Sequence, residues 1–512
     1  MRTSYVPFII AALLGCGSAV QAQLAPITAV ETKVIAVTGF PGTEPSHTVV
    51  SDYGIKPTVI LTANADNSCN VAFHDSAASK IAILSIDAAG NLVSRLDPAV
   101  LQGATELIGF ARIPGDGSFG VAYAKNNAAN GPDFEYWIAR VSPAGATLFN
   151  TLVFGTQPKG QVNSKGEPGY FSSGRLAFNP ATQNLISYTG HSQRHSDGIR
   201  HQGGHVATMS LAGVLAVANP WYCSHNFDQR LLVDGSNFYT LAHGDAFPRG
   251  LVFGRWQDAA GGATMTNDVQ FFTIPGTSGD NVTNTQTGGF VKLASGNIGI
   301  VYSTKAGRNN YDVRYRELTP AGQASGSAVW LTSYPAGTFA IFPKIVRHGD
   351  VAAVFWEEVT GGSVRAVRSK LVGTAAANAT AMATVSDTAV RVSAYYDMAP
   401  LPNGGILWAS HRGAGSLALQ RVVSPAAGTG GLRLGNVAFG KSGANFTISG
   451  SVSGGASLGT VFLQASSDMG RTDAWQNIAT IPLNAAGQAT FGPVTDPGGG
   501  SLGRNFFRLD GP

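Results

Sequence analysis

Apolar and polar residues alternate in short runs along most of this chain, and turn residues break the runs at regular distances. A period of two places every second side chain on one face of a strand, so each run predicts a short β-strand. Between paired runs lie Asp66-Asn67-Ser68, Gly115-Asp116-Gly117, Asn179-Pro180-Ala181, Asp234-Gly235-Ser236, Ser295-Gly296-Asn297, His348-Gly349-Asp350 and Asn403-Gly404-Gly405. Gly and Asn tolerate the positive φ of a tight hairpin, and Pro presets the first turn dihedral. The markers Asp66, Asp116, Pro180, Gly235, Gly296, Gly349 and Gly404 are 50 to 64 residues apart. A second turn follows in each unit, as at Asp87-Ala88-Ala89-Gly90, Ser142-Pro143-Ala144-Gly145 and Thr319-Pro320-Ala321-Gly322.

Each unit therefore reads strand, tight turn, strand, longer loop, strand, turn, strand. Four-stranded units repeated seven times predict an all-β fold, a seven-bladed β-propeller over residues 23–430. One such sheet cannot bury both of its faces, so a closed ring of sheets supplies the core. The strand-like stretch from Ile27 to Gly39 precedes the first unit, and pairing with the last blade would close the ring. Beyond residue 430 the pattern changes to five or six short strands. Residues 431–512 are expected to form a small C-terminal β-sandwich.

Composition agrees with sheets and turns. Charged residues are 12% of the chain and glycines are 65 of 512. Helical bundles need many more Glu, Lys and Arg on their wet faces. The net charge is only +4, with no basic block to neutralise phosphates, so no nucleic-acid partner is expected. Residues 1–22 read as a signal peptide. Arg2 is followed by the apolar run Val6 to Leu14, and Val20-Gln21-Ala22 offers a cleavage site. The chain is then secreted, periplasmic or on the cell surface. Leu13-Leu14-Gly15-Cys16 is a rival lipobox-like reading, with a membrane partner only if Cys16 is lipidated. A monomer is expected. Cys69 and Cys223 fall on opposite faces of well-separated blades, so no disulfide is expected.

Propeller geometry turns strand ends into a rim. The innermost strand of each blade starts on one face, and the second strand returns to it. The seven second strands end near His74, Lys125, His191, His243, Lys305, Glu358 and His411. With Asp245 these are candidate ligand-binding groups at a mouth on that face. Six of the ten histidines fall between His191 and His243, which concentrates the candidate chemistry on blades three and four. Histidines there can shuttle protons, hydrogen-bond sugar hydroxyls or bind a metal. No compact Cys/His ligand motif is present, so no cofactor is expected and a structural metal is a secondary alternative. His201 and His205 are expected on one strand face, and so are Cys223 and His225.

The run His225-Asn226, an apolar strand to Asp234-Gly235, then His243 and Arg249 or Arg255, resembles BNR-type propellers of secreted polysaccharide lyases, including ulvan lyases. The resemblance implies that His225 and His243 flank a uronic acid, one neutralising the carboxylate while a base removes the C5 proton. In that family a Tyr and an Arg come from the following blade, where this chain has Thr287 and Ser303. Ser466, Asp468, Gly470 and Thr472 resemble one Asp-box of sialidase propellers, outside the ring. Gln464 to Asp468, Trp475 and Asn505 to Leu509 resemble a C-terminal module of secreted bacterial proteins.

The leading expectation is an extracellular propeller that binds a glycan or other polyanion at a His-rich mouth. The alternatives are a polysaccharide lyase acting through His225, His243, His191 and Arg249, and a non-catalytic surface or adhesion protein.

Overall fold

Among the described residues, the seven sequence units become seven four-stranded antiparallel sheets, seen here in a computed structural model. The structure describes residues 26–42, 57–126, 134–155, 174–194, 200–349, 351–373, 379–385, 387, 390–392, 397–423, 433–442, 445–453, 460–466, 476–482, 488–495 and 506–510. The signal-peptide and Cys16 readings, and the Asp-box-like residues after Ser466, lie outside them.

The innermost strands of blades 1 to 7 are Val59–Ala63, Ala104–Arg112, Gly174–Asn179, Asn226–Asp234, Thr285–Lys292, Thr338–His348 and Ala399–Pro400. Each of these touches the next around the axis, and the last touches the first. Six blades are built from four consecutive strands. The seventh takes its outermost strand from the other end of the propeller, where Glu31–Ala36 pairs antiparallel with Ser416–Val422, Glu31 opposite Arg421 and Ala36 opposite Ser416. The expected ring closure is thus present.

The first hairpin turn of every blade holds one residue in the left-handed region: Asn67, Gly117, Gln183, Gly235, Gly296, Gly349 and Gly404. This backbone requirement explains why turn residues mark the repeat so clearly. The connection from second to third strand is shorter than expected in blades 1, 4, 6 and 7, at 76–79, 246–248, 361–362 and 412–415.

The core lies between neighbouring blades. Ile60, Ile81 and Ile83 of blade 1 pack on Leu107, Phe119, Val121 and Tyr123 of blade 2. Ile108 and Ile138 of blade 2 pack on Leu176, Leu185 and Met209 of blade 3. Tyr239, Leu241 and Phe253 of blade 4 meet Phe290, Ile298 and Ile300 of blade 5. Burial of these faces is the main stabilising term of the ring.

The propeller, Pro26–Pro425, is one compact unit, and the chain after it belongs to another. There, Arg433–Ser442, Asn445–Ser453 and Ala489–Thr495 form one sheet, and Gln476–Pro482, Thr460–Ser466 and Phe506–Asp510 form a second. The two share Ile448, Val452, Val461, Leu463 and Ile481 as a core.

Candidate functional site

The rim residues stand at the ends of the second strands, on one face of the ring. They do not converge on a common point. His74 Nε2 lies 3.0 Å from the carbonyl oxygen of Ala104, the first residue of the innermost strand of blade 2. His243 Nε2 lies 2.9 Å from Thr283 Oγ1, just ahead of the innermost strand of blade 5. His411 Nε2 lies 3.4 Å from Thr58 Oγ1, just ahead of that of blade 1. Three rim histidines therefore clasp one blade to the start of the next. The ammonium groups of Lys125 and Lys305 sit over the rings of Tyr123 and Tyr311, at 5.4 and 4.9 Å. Burial lowers the Lys125 ammonium below its ordinary pKa. Glu358 accepts two hydrogen bonds from Arg368, at 3.0 and 2.8 Å. Burial works against its ionisation, but Arg368 outweighs it and holds the carboxyl below its usual range.

His191 is buried in an aromatic pocket with Phe154, His205 and Trp221, at ring separations of 5.4, 5.7 and 5.0 Å. His205 is 4% exposed, and burial lowers its pKa to about 4. His411 is lowered to about 4 by the same cause. Both rings are neutral at physiological pH. His201 and His205 share one strand, Arg200–Ser210, but bulges at Gly203 and Gly204 give them different neighbours. His201 turns to His225, with ring centroids 6.0 Å apart.

The corner of blades 3 and 4 has the most unusual backbone. Cys223, His225, Phe247 and Asn281 all have positive φ, at 56°, 52°, 48° and 60°. Left-handed backbone is tolerated by Asn but is an outlier for a bulky Phe, and such strain gathers where a local geometry is enforced. The four are stitched together. The Ser224 N–H donates to the Phe247 carbonyl at 3.4 Å, and the Asp245 N–H donates to the His225 carbonyl at 3.3 Å. Asp245, fully buried, accepts the Asn281 N–H at 2.6 Å. His225 Nδ1 lies 2.9 Å from Asp245 Oδ1, off the line of a hydrogen bond. The His225 ring is part-exposed at the surface, and Phe247 beside it is 80% exposed.

This backbone corrects one expectation. Strand alternation would point Cys223 and His225 the same way, but both residues leave the strand conformation, so the alternation does not apply. Cys223 and Cys69 are free and buried. Burial pushes the Cys69 thiol up to about 12 and raises Cys223 further. Both thiols are expected to resist iodoacetamide at neutral pH in the folded protein and to react fully in denaturant. Rapid labelling of the native chain would contradict this burial.

Arg249 is 8% exposed and occupied by the loop that walls the same corner. It donates to the carbonyls of Asp245, Pro275, Thr277 and Val282 and to the Asp280 carboxylate, the last at 2.8 Å. A Cβ at Gly276, where φ is +127°, would lie 2.2 Å from its guanidinium, so only glycine fits there. Gly279 of this loop passes over His225. Arg249 positions the wall, with its donors committed to the chain itself. Thr287 and Ser303 are both buried.

A second group of polar side chains occupies the axis, and its charged members were not singled out from the sequence. Arg175, Asp228, Arg230, Thr287 and Lys344 project from the innermost strands of blades 3, 4, 4, 5 and 6, and Asp397 sits just ahead of that of blade 7. Asp228 accepts Arg230 Nε at 2.9 Å and the Thr287 hydroxyl. Asp397 contacts Arg175 Nε at 2.5 Å, accepts hydrogen bonds from Arg175 Nη2 at 3.1 Å and from Arg230 Nη1, and lies 3.9 Å from Lys344 Nζ. Burial opposes ionisation of Asp397, but Arg175, Arg230 and Lys344 outweigh it and hold the carboxyl far below its usual range. Burial, reinforced by the Arg230 charge, drives the Lys344 ammonium well below its ordinary pKa.

Among the described residues, no three His, Cys, Asp or Glu side chains are grouped to hold a metal ion. A cleft of about 450 Å³ opens between blades 1 and 2 at their first hairpins, lined by Asp66, Asp87, Arg95 and Arg112 among others. Arg95 is already paired there with Asp97 and Asp75.

No protein-family model matches the chain, and no curated protein matches its sequence. Solved structures match only distantly. A protein of unknown function from Dyadobacter fermentans is 10% identical over 67% of this chain and 99% of its own, with a TM-score of 0.38. A Hadza microbial sialidase is 10% identical over 61% and 69%, with a TM-score of 0.36. An α-L-arabinanase from Penicillium chrysogenum is 11% identical over 62% and 93%, with a TM-score of 0.35. No functional argument follows from likeness at this level.

Proposed function

We infer that this propeller binds an anionic extracellular glycan at the corner of blades 3 and 4. Phe247 offers an exposed aromatic face to a sugar ring, and His225, backed by the buried Asp245, meets a hydroxyl or acid group beside it. The observation that carries this reading is the strained backbone around His225 and Phe247. Holding a phenylalanine at positive φ while leaving its ring 80% exposed gives the folded chain no packing return. A ligand that stacks on the ring supplies a reason for the arrangement.

Binding is favoured over β-elimination by the surroundings of the other lyase candidates. His243 is 2% exposed behind Thr283, and Arg249 is committed to its loop. A secreted or surface location, and a partner among acidic polysaccharides, belong to the same proposal. The expected result on a panel of acidic polysaccharides is retention of the native protein, without release of unsaturated uronate seen as ultraviolet absorbance. His225→Ala and Phe247→Ala each weaken binding about tenfold or more, a loss of ~1–3 kcal/mol. Unchanged binding in both variants would overturn the assignment, and steady growth of absorbance would restore the lyase.

A further inference from the structure

We propose that Arg175, Arg230 and Lys344 form a carboxylate-recognition subsite on the propeller axis, and that Asp397 occupies it as a tethered stand-in for an acid group of the ligand. The inference rests on the reading that the mouth takes an anionic glycan. It names the group on the ligand that the axis would read.

Three features point to a receptor and not merely to a structural ion pair. The donors come from three different blades and are nearly buried, with side-chain exposures of 10%, 6% and 3%, whereas the Asp397 side chain is 35% exposed. Solvent therefore reaches the acceptor side of the cradle. Arg175 presents two nitrogens to the two carboxylate oxygens, the geometry that favours a planar acid. Finally, the arginines have other anchors. Arg230 keeps Nε on Asp228, which Thr287 also holds, and Arg175 Nη1 donates to the Gly174 carbonyl at 2.7 Å. The cradle is thus held in place by groups other than Asp397. Asp397 lies just before Ala399, which pairs with Leu407 beside the first hairpin, so it sits within the channel at the depth of Arg230 and Lys344, below the mouth where His225 lies, and an acid group must enter the channel to reach this cradle.

The test is competition. Full-length native protein, Asp397→Ala, Asp397→Asn and the double variant Asp397→Ala/Arg175→Met are titrated with glucuronate and with glucose by calorimetry, after far-ultraviolet circular dichroism establishes that each is folded. Removing the tethered acid is expected to tighten glucuronate binding at least tenfold in Asp397→Ala. Asp397→Asn, which keeps the shape and loses the charge, should tighten it in the same direction and serves if the alanine variant does not fold. The double variant should lose the gain, and glucose should bind none of them measurably. Glucuronate binding no tighter without Asp397, or an equal gain for glucose, would overturn the proposal. If these hold no gain while His225→Ala still abolishes polysaccharide binding, the axial subsite fails and the mouth reading stands. If glucuronate tightens as expected but no acidic polysaccharide binds the native protein, the subsite stands and the mouth reading fails.

Discussion

Asp228→Ala lowers the unfolding free energy of the propeller by about 3–5 kcal/mol, measured by urea denaturation followed through the buried tryptophans. Asp228 is fully buried and Arg230 is 5% exposed. Losing the carboxylate leaves the Arg230 Nε–H and the Thr287 hydroxyl without their acceptor in a place that water does not reach. The cost arises from the abandoned partner and not from the worth of the pair itself. Asp228→Leu combined with Arg230→Met is therefore expected to be less damaging than Asp228→Leu alone, because an apolar pair carries no stranded charge. A loss below about 1 kcal/mol in Asp228→Ala would mean that the axial charges do not hold the innermost strands together. Trp256, Trp356 and Trp408 are fully buried in blades 4, 6 and 7, so the fluorescence signal reports on the ring itself.

The second large effect is on acid stability. His205 and His411 have folded pKa values of about 4, both lowered by burial, against about 6.5 in an unfolded chain. As pH falls, the unfolded chain takes up these protons first. Stability is complete above pH ~6.5, declines between about 6.5 and 4, and levels off below. A displacement of that size is worth roughly 3 kcal/mol for each histidine. His348 is lowered in the same direction, first by burial, and adds to the slope. The carboxylates act in a separate window. Asp397 and Glu358 are held below their usual range, so their contribution persists until pH falls below about 4. Urea midpoints taken at intervals from pH 7.5 to 4 should fall steeply, and His205→Phe should remove a large part of the slope. Phenylalanine suits the site because Phe154 and His191 already surround it with rings. A native midpoint that stays level from pH 7 to pH 5 would rule out this account.

The seven blades were legible because a hairpin turn needs a left-handed residue, and Asn, Gly and their neighbours announce that need locally. The rim was half legible. Strand alignment placed His74, His243 and His411 on the correct face, but their partners belong to the next blade, and nothing in the run VAFHD or YTLAHG indicates Ala104 or Thr283. The axial cluster stayed hidden for a related reason. Arg175 and Lys344 lie within otherwise largely apolar innermost strands, and Asp228 and Arg230 within a mixed one, while their common meeting point depends on the closure of the ring. In a chain with 12% charged residues, a charge within a largely apolar strand, as at Arg175 and Lys344, was the available signal. Phe247 carried no sequence signal at all, since its significance comes from a φ of 48° and an uncovered ring.

The pairing of Glu31–Ala36 with Ser416–Val422 also sets an order of events. Among the described strands of the propeller, the first along the chain is the one whose partner comes last. Throughout synthesis it remains an unpaired edge, and the blade it completes does not exist until the whole ring has emerged. Such long-range pairing slows folding, because the loop it closes is nearly the whole propeller. It also means that a truncation removing Glu31–Ala36 acts on the seventh blade, whose other strands come last in the propeller sequence.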